Sequence, residues 1–135
     1  MKKKTDRERD EEQAKAQVEA IVEYMQDIQV AEDADDEDGV DETRMYALDN
    51  VLSVQVRSGW SFPGHYGNEA PEEFELLLCT GGPAVRIWGL LDEHCQPCEW
   101  KVLYQDWFTG WKQYIVPSEQ AKEVQAYCEL FHYGE

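Results

Sequence analysis

The sequence is short of positive charge. Its 135 residues include 12 lysines and arginines against 29 aspartates and glutamates, which leaves a formal net charge of -17 with histidine neutral. A surface that binds duplex DNA, RNA or anionic lipid must supply cations to neutralise phosphate groups. A chain this acidic is therefore a poor candidate for direct nucleic-acid or membrane-surface binding, and we expect any partner to be basic.

Long apolar runs are also missing. No stretch approaches the roughly 18 consecutive apolar residues that indicate a membrane span. Residues 1–4 lead into charged residues rather than into an apolar segment, so we expect no export signal and a cytoplasmic protein. With 42% apolar residues, the chain has enough hydrophobic side chains for one folded core.

Catalytic motifs are sparse. No serine has a glycine-elbow context, and no phosphate loop or dinucleotide fingerprint is present. Asp106, between Gln105 and Trp107, is the one candidate for a buried catalytic acid. No second acid or base stands beside it, and such an aspartate more often binds a turn backbone or an indole N–H. We predict a protein that is not an enzyme and has no cofactor.

The sequence contains four cysteines, which are candidates for a metal-binding or redox site. Cys95 and Cys98 form a Cys-x-x-Cys pair next to His94. A structural zinc ion needs four ligands, usually from two such pairs, and only one pair is present. Cys79 and Cys128 lie in apolar patterns typical of buried small hydrophobic residues. No metal is predicted, but a small metal-binding or enzymatic module centred on this pair is retained as an alternative function.

The negative charge is concentrated. Residues 31–52 contain nine acidic side chains and one basic, and eight of the acids fall within residues 31–42. An EF-hand alignment that uses Gly39 as the sixth loop position fails, because it places Ala34 first and Met45 twelfth, where ligands are needed. This acidic run is therefore interpreted as a solvated or disordered connection.

Helical periodicity flanks the acidic run. Before it, apolar residues recur at positions 18, 21, 22, 25 and 28, which predicts an amphipathic helix over about 6–30. After it, Met45, Leu48, Val51 and Leu52 repeat that spacing. The pattern predicts a helical hairpin with an acidic connection. If the first stripe is too wide for one hairpin to cover, a homodimeric adaptor is a further alternative.

From residue 53 the pattern is typical of strands and turns. Strands are predicted over 53–60, 74–80, 84–91 and 100–108, with a possible fifth at 113–116. A hairpin is predicted at 81–83, and Ser118 is expected to cap a C-terminal helix. We therefore predict an α+β fold, with an N-terminal helical hairpin, a four- to five-stranded antiparallel sheet and a C-terminal helix packed on that sheet. The regions 1–52 and 53–135 are expected to form one compact domain.

Residues 43–135 resemble a family of small acidic proteins carried by phages and plasmids. The resemblance rests on the segments LSVQVRSGW (52–60), EEFELLLCTGGPAVRI (72–87), YQDWF (104–108) and FHYGE (131–135). It transfers no catalytic residue. It implies a mobile-element origin, and small acidic proteins from such elements are similar to inhibitors of host defence nucleases, including anti-restriction and anti-CRISPR proteins.

These observations favour an acidic binding protein that occupies the basic nucleic-acid channel of a host protein or complex, as a DNA mimic does. A channel built to neutralise phosphates also attracts an array of fixed carboxylates. The predicted contacts in the acidic run are Asp33, Asp35, Asp36, Glu37, Asp38, Asp41 and Glu42. A second predicted set, expected to be exposed, is Glu69, Glu72 and Glu73.

Overall fold

Two helices at the N terminus form the predicted hairpin. A computed structural model describes residues 6–60, 62–64, 70–80, 83–105 and 110–134, the side chains of residues 6 and 7 excepted. Helix α1 spans Asp6–Asp33 and helix α2 spans Glu37–Asp49. The two helices pack along one another. Between them, the rings of Tyr24 and Tyr46 meet edge to face, with their centroids 5.6 Å apart.

Most of the acidic run is helical, so a disordered connection was the wrong alternative, whereas its acidic side chains are exposed to solvent as the other alternative predicted. Only residues 34–36 link the helices. Helix α1 ends in a Schellman motif, with Asp35 N–H bonded to Glu32 O at 3.1 Å and Asp36 N–H bonded to Ala31 O at 2.9 Å. Asp35 takes the left-handed conformation of that motif, with φ of 54°.

The C-terminal region contains the predicted antiparallel meander. Its strands are β1 Ser53–Ser58, β2 Pro71–Cys79, β3 Ala84–Leu91, β4 Pro97–Gln105 and β5 Lys112–Tyr114. They pair antiparallel in the order β1-β2-β3-β4-β5. Strand β4 begins three residues earlier than predicted, which shortens the β3–β4 loop. Gly81 and Gly82 of the predicted hairpin turn lie outside the described residues, and so do residues 106–108.

Helix α3, Ser118–Cys128, completes the α+β fold predicted from the sequence. The prediction that Ser118 caps this helix was wrong. Pro117 is the N-cap residue and no side chain caps the helix, because Ser118 is already its first residue. Helix α3 packs on α1 and on β4.

Helices cover one face of the sheet, and both predicted regions contribute to one hydrophobic cluster. The α1 stripe is buried in that core: Val18 and Ile21 are 0% and 2% exposed. At these positions the stripe is covered within the chain. The core side chains are Ala14, Val18, Ile21, Ala47, Phe74, Leu76, Leu78, Val85, Ile87, Leu91, Val102, Tyr104, Tyr114, Val124, Tyr127, Cys128 and Tyr133. Among the described helices, none is long and apolar enough to cross a membrane.

Candidate functional site

Eight carboxylates lie at the end of the hairpin where the turn joins α1 to α2. We call this set the acidic tip; its members are Glu32, Asp33, Asp35, Asp36, Glu37, Asp38, Asp41 and Glu42. Two contacts show how the helices align: Tyr24 of α1 faces Tyr46 of α2, and a Cβ on Gly39 of α2 would lie 3.4 Å from the Ala31 Cβ of α1. This register places the end of α1 beside the first turns of α2, so the structure brings together all seven residues predicted in the acidic run.

The tip is shaped by its own carboxylates. Asp36 Oδ1 accepts a hydrogen bond from the Gly39 N–H at 3.1 Å and so caps α2. A Cβ on Gly39 would lie 2.3 Å from Asp36 Oδ2, so glycine leaves the space in which the capping carboxylate sits. Glu37 and Asp38 occupy the first turn of α2, where the partial positive charge of the helix N terminus stabilises them.

The tip carboxylates face solvent. All eight residues are exposed. Asp33 Oδ1 accepts a hydrogen bond from Gln29 Nε2 at 2.9 Å, and Asp36 caps α2 as above. Within the described parts of the chain, no lysine or arginine forms an ion pair with any of the eight. The fold therefore concentrates negative charge at this end without neutralising it.

The acidic surface continues along the hairpin beyond the predicted residues. Glu19, Glu23 and Asp27 recur every four residues on α1 and are exposed. Glu23 and Asp27 line a groove between the two helices together with Glu42 of α2. Sequence reasoning missed these α1 residues because the apolar stripe on the opposite side of the helix was the stronger pattern, although their i, i+4 spacing was visible.

The second predicted set behaves differently. Glu69 lies outside the described residues. Glu72 is exposed, as expected, and its carboxylate lies against Gly59, where an added Cβ would be 2.0 Å from Glu72 Oε2. The expectation that Glu73 is exposed was wrong: it is half-buried, and Arg57 donates to both of its oxygens at 2.7 and 2.8 Å.

Cross-strand pairing explains the state of Glu73. Arg57 on β1 stands opposite Glu73 on β2, and Trp88 Nε1 on β3 donates to the same carboxylate at 3.1 Å. The hydrogen bonds from Arg57 lower the pKa of Glu73. On the same sheet, Arg86 pairs with Glu75 at 2.5 Å and stacks 4.2 Å from the centre of the Trp111 ring. These carboxylates are neutralised within the fold, unlike those of the tip.

No family model, curated protein or solved structure matches the chain. The relationship to proteins of phages and plasmids therefore stays a prediction from the sequence. The acidic tip and the carboxylates beside it on α1 are the features from which a function can be argued.

The two cysteines of the Cys-x-x-Cys pair are free thiols; Cys95 is half-buried and Cys98 is exposed. Cys95 has a positive φ of 60°, and a Cβ on Gly134 would lie 2.8 Å from its Sγ, so the C-terminal segment packs on this thiol. The Cys98 thiol donates to Leu90 O at 3.4 Å. His94 Nε2 lies 3.5 Å from a Glu93 carboxylate oxygen. Among the described residues, no group of three or more His, Cys, Asp and Glu side chains is placed to hold a metal ion. Asp106 lies outside those residues.

Proposed function

We propose that this protein is a non-enzymatic binding protein whose helical hairpin occupies a basic, nucleic-acid-binding surface on a partner, as a DNA mimic does. The observation that carries the proposal is the acidic tip, eight exposed carboxylates that no described cation neutralises. A positively charged channel attracts such an array for the same electrostatic reason that it attracts phosphates.

The charge density of the tip supports mimicry. Residues 37–42 of α2 advance by about 9 Å along the hairpin, at about 1.5 Å per residue. The antiparallel register places the end of α1 beside them, so the eight charges share roughly that length, on the order of one per 1 Å. Duplex DNA carries one charge per about 1.7 Å of its axis. The tip is therefore at least as dense in negative charge as the duplex, over about a quarter of a turn of DNA.

The partner class follows from this charge and from the resemblance to proteins of phages and plasmids. A mobile element benefits from blocking a host nuclease, and a channel that holds nucleic acid is the basic surface such an enzyme must expose. We therefore propose an inhibitor of a host defence nuclease complex, of the anti-CRISPR or anti-restriction type. The net charge of -17 is unfavourable for direct binding of nucleic acid by this chain.

Charge-matched variants test the proposal. The tip variant carries Asp35→Asn, Glu37→Gln, Asp38→Asn and Asp41→Asn, and it keeps the Asp36 cap. The control variant carries the same number of neutralised charges on exposed acids of the sheet region and α3: Glu93→Gln, Glu99→Gln, Glu119→Gln and Glu129→Gln. Both variants therefore have the same net charge and differ only in where the charge was removed.

The measurement is capture of a host protein from a nuclease-treated lysate at about 50 mM salt, eluted with rising salt, followed by inhibition of its nucleic-acid binding. We expect the wild type and the control variant to capture a nucleic-acid-binding protein that elutes by about 200 mM salt. The tip variant should lose capture. Equal capture by both variants, or binding that does not weaken with salt, would contradict the proposal.

A further inference from the structure

The groove between α1 and α2 combines acidic side chains with two aromatic rings. It is an open groove of about 480 Å³. We call it the outer groove. Its carboxylates are Glu23, Asp27 and Glu42, its rings are Tyr24 and Tyr46, and its remaining lining is Ala20 and Thr43.

The two rings leave an aromatic surface open to a ligand. They meet edge to face, with an interplanar angle of 80°. Tyr46 is 61% exposed, so much of its ring is open to solvent. Burial, then the neighbouring Tyr46 phenol and Glu23 carboxylate, raises the pKa of Tyr24.

The carboxylates of the outer groove have no cation of their own. In the part of the chain that the structure describes, Glu23, Asp27 and Glu42 form no hydrogen bond or ion pair with another side chain. Glu73 and Glu75 on the sheet, by contrast, each pair with an arginine. The groove therefore combines an exposed ring with unneutralised acids on both of its walls.

The spacing of these acids disfavours a small cation. No set of three acidic side chains among the described residues is close enough to hold a metal ion. A guanidinium group is larger and planar, presents five N–H donors and stacks on aromatic faces, whereas a lysine ammonium is a compact, strongly hydrated point charge.

We propose that the outer groove binds an arginine side chain of the partner, with the guanidinium stacked on Tyr46 and hydrogen-bonded to Glu23, Asp27 or Glu42. This inference rests on the proposed function and names the chemistry by which a basic partner is recognised beyond general charge attraction. An arginine held in this way would fix the register of the hairpin on the partner, because the fork geometry is directional where the tip charge is not.

Tyr46 can be tested without damage to the fold, because it is mostly exposed and alanine is a strong helix former. Hexa-arginine and hexalysine peptides are titrated into the full-length protein, and binding is followed by backbone amide NMR shifts. We expect hexa-arginine to bind more tightly than hexalysine and to shift the amides of Tyr24 and Tyr46. Tyr46→Ala should weaken hexa-arginine binding roughly two- to five-fold, the range of an exposed cation–π contact, and leave hexalysine unchanged.

Three comparisons make the outcome decisive. Met45→Ala removes the neighbouring exposed side chain, 63% exposed and outside the groove lining, and should change neither peptide's affinity. Tyr46→Phe should keep the preference for arginine. Equal affinity for the two peptides, or an arginine preference that survives Tyr46→Ala, would overturn the inference. The proposed function is tested by a different experiment: it would fail if the tip variant captured the host protein as well as the wild type does.

Discussion

Three weakly acidic side chains, two on α3 and one in the segment after it, predict that the fold loses stability at alkaline pH. Cys128, Tyr127 and Tyr133 are 0%, 1% and 5% exposed. Burial, which disfavours the charged form, raises the pKa of all three groups. The Tyr133 hydroxyl also donates to Cys128 O at 2.5 Å and must stay protonated to do so. The native state therefore holds these protons at a pH where the unfolded chain has released them.

The sign and size of the effect follow from linkage. Ordinary pKa values are 9.0 for the thiol and 10.0 for each phenol. Below these pH values the free energy of unfolding does not depend on the three groups. Above them, each proton that the folded state retains lowers the free energy of unfolding by about 1.4 kcal/mol per pH unit. Above pH 10 the free energy of unfolding should fall by about 4 kcal/mol per pH unit, and at pH 11 it should be about 5 kcal/mol below its value at pH 8. Domains of this size have about 5–15 kcal/mol in total.

Urea unfolding of the full chain, followed by far-ultraviolet circular dichroism in reducing buffer between pH 8 and pH 11, measures this slope. Tyr133→Phe should cost about 1–2 kcal/mol at pH 8, because it leaves Cys128 O buried without its donor. The same variant should reduce the slope above pH 10 by about 1.4 kcal/mol per pH unit, since one retained proton is gone. An unfolding free energy that is flat to pH 11, or a slope that Tyr133→Phe leaves unchanged, would refute the reasoning.

Three further predictions, two of them with a control substitution, concern the hairpin turn and the sheet and use the same unfolding measurement. Gly89→Ala should destabilise by at least about 1–3 kcal/mol, because its Cβ would lie 2.2 Å from Glu99 O, whereas Gly110→Ala, with open space around it, should cost far less. Asp36→Ala should cost about 1 kcal/mol through the lost α2 cap and Asp36→Asn much less, so equal losses would show that the cap is not the cause. Asp35→Gly should stabilise by about 1 kcal/mol by relieving a left-handed backbone, and a loss of stability would contradict that.

Much of the fold was predictable from the pattern of apolar residues. The stripe at positions 18, 21 and 28 identified the buried face of α1, and the run of β-branched, aromatic and aliphatic residues after Pro83 identified strand β3 with the bounds that the structure has. The acidic run was misread because like-charge repulsion was the only force considered there. Backbone terms decided the outcome: a Schellman motif at Asp35, a side-chain cap from Asp36 and a favourable helix dipole for Glu37 make the segment helical.

The candidate site was predictable only in part, because the sequence does not show how one helix or strand aligns with its neighbour. The sequence located the tip, because its charges are contiguous along the chain. It could not show that Glu23 and Tyr46 share a groove, since that depends on how two helices align. The same limit explains the error at Glu73, whose partner Arg57 stands 16 residues away and is brought opposite by the pairing of β1 with β2.

The order of the acidic tip bears directly on how well it could compete with nucleic acid. A disordered run of twelve residues would lose about 1–2 kcal/mol of backbone entropy per residue on binding, on the order of 10–20 kcal/mol in all. Here that ordering has already occurred during folding, because residues 31–33 belong to α1 and 37–42 to α2. The carboxylates are therefore presented at fixed spacing before any encounter, as phosphates are on duplex DNA. Loosening the hairpin should then weaken partner binding even when every charge is kept. Gly39→Ala tests this, because it removes no charge but displaces the Asp36 carboxylate that caps α2. Partner binding that Gly39→Ala leaves unchanged would show that the charge of the tip matters and its order does not.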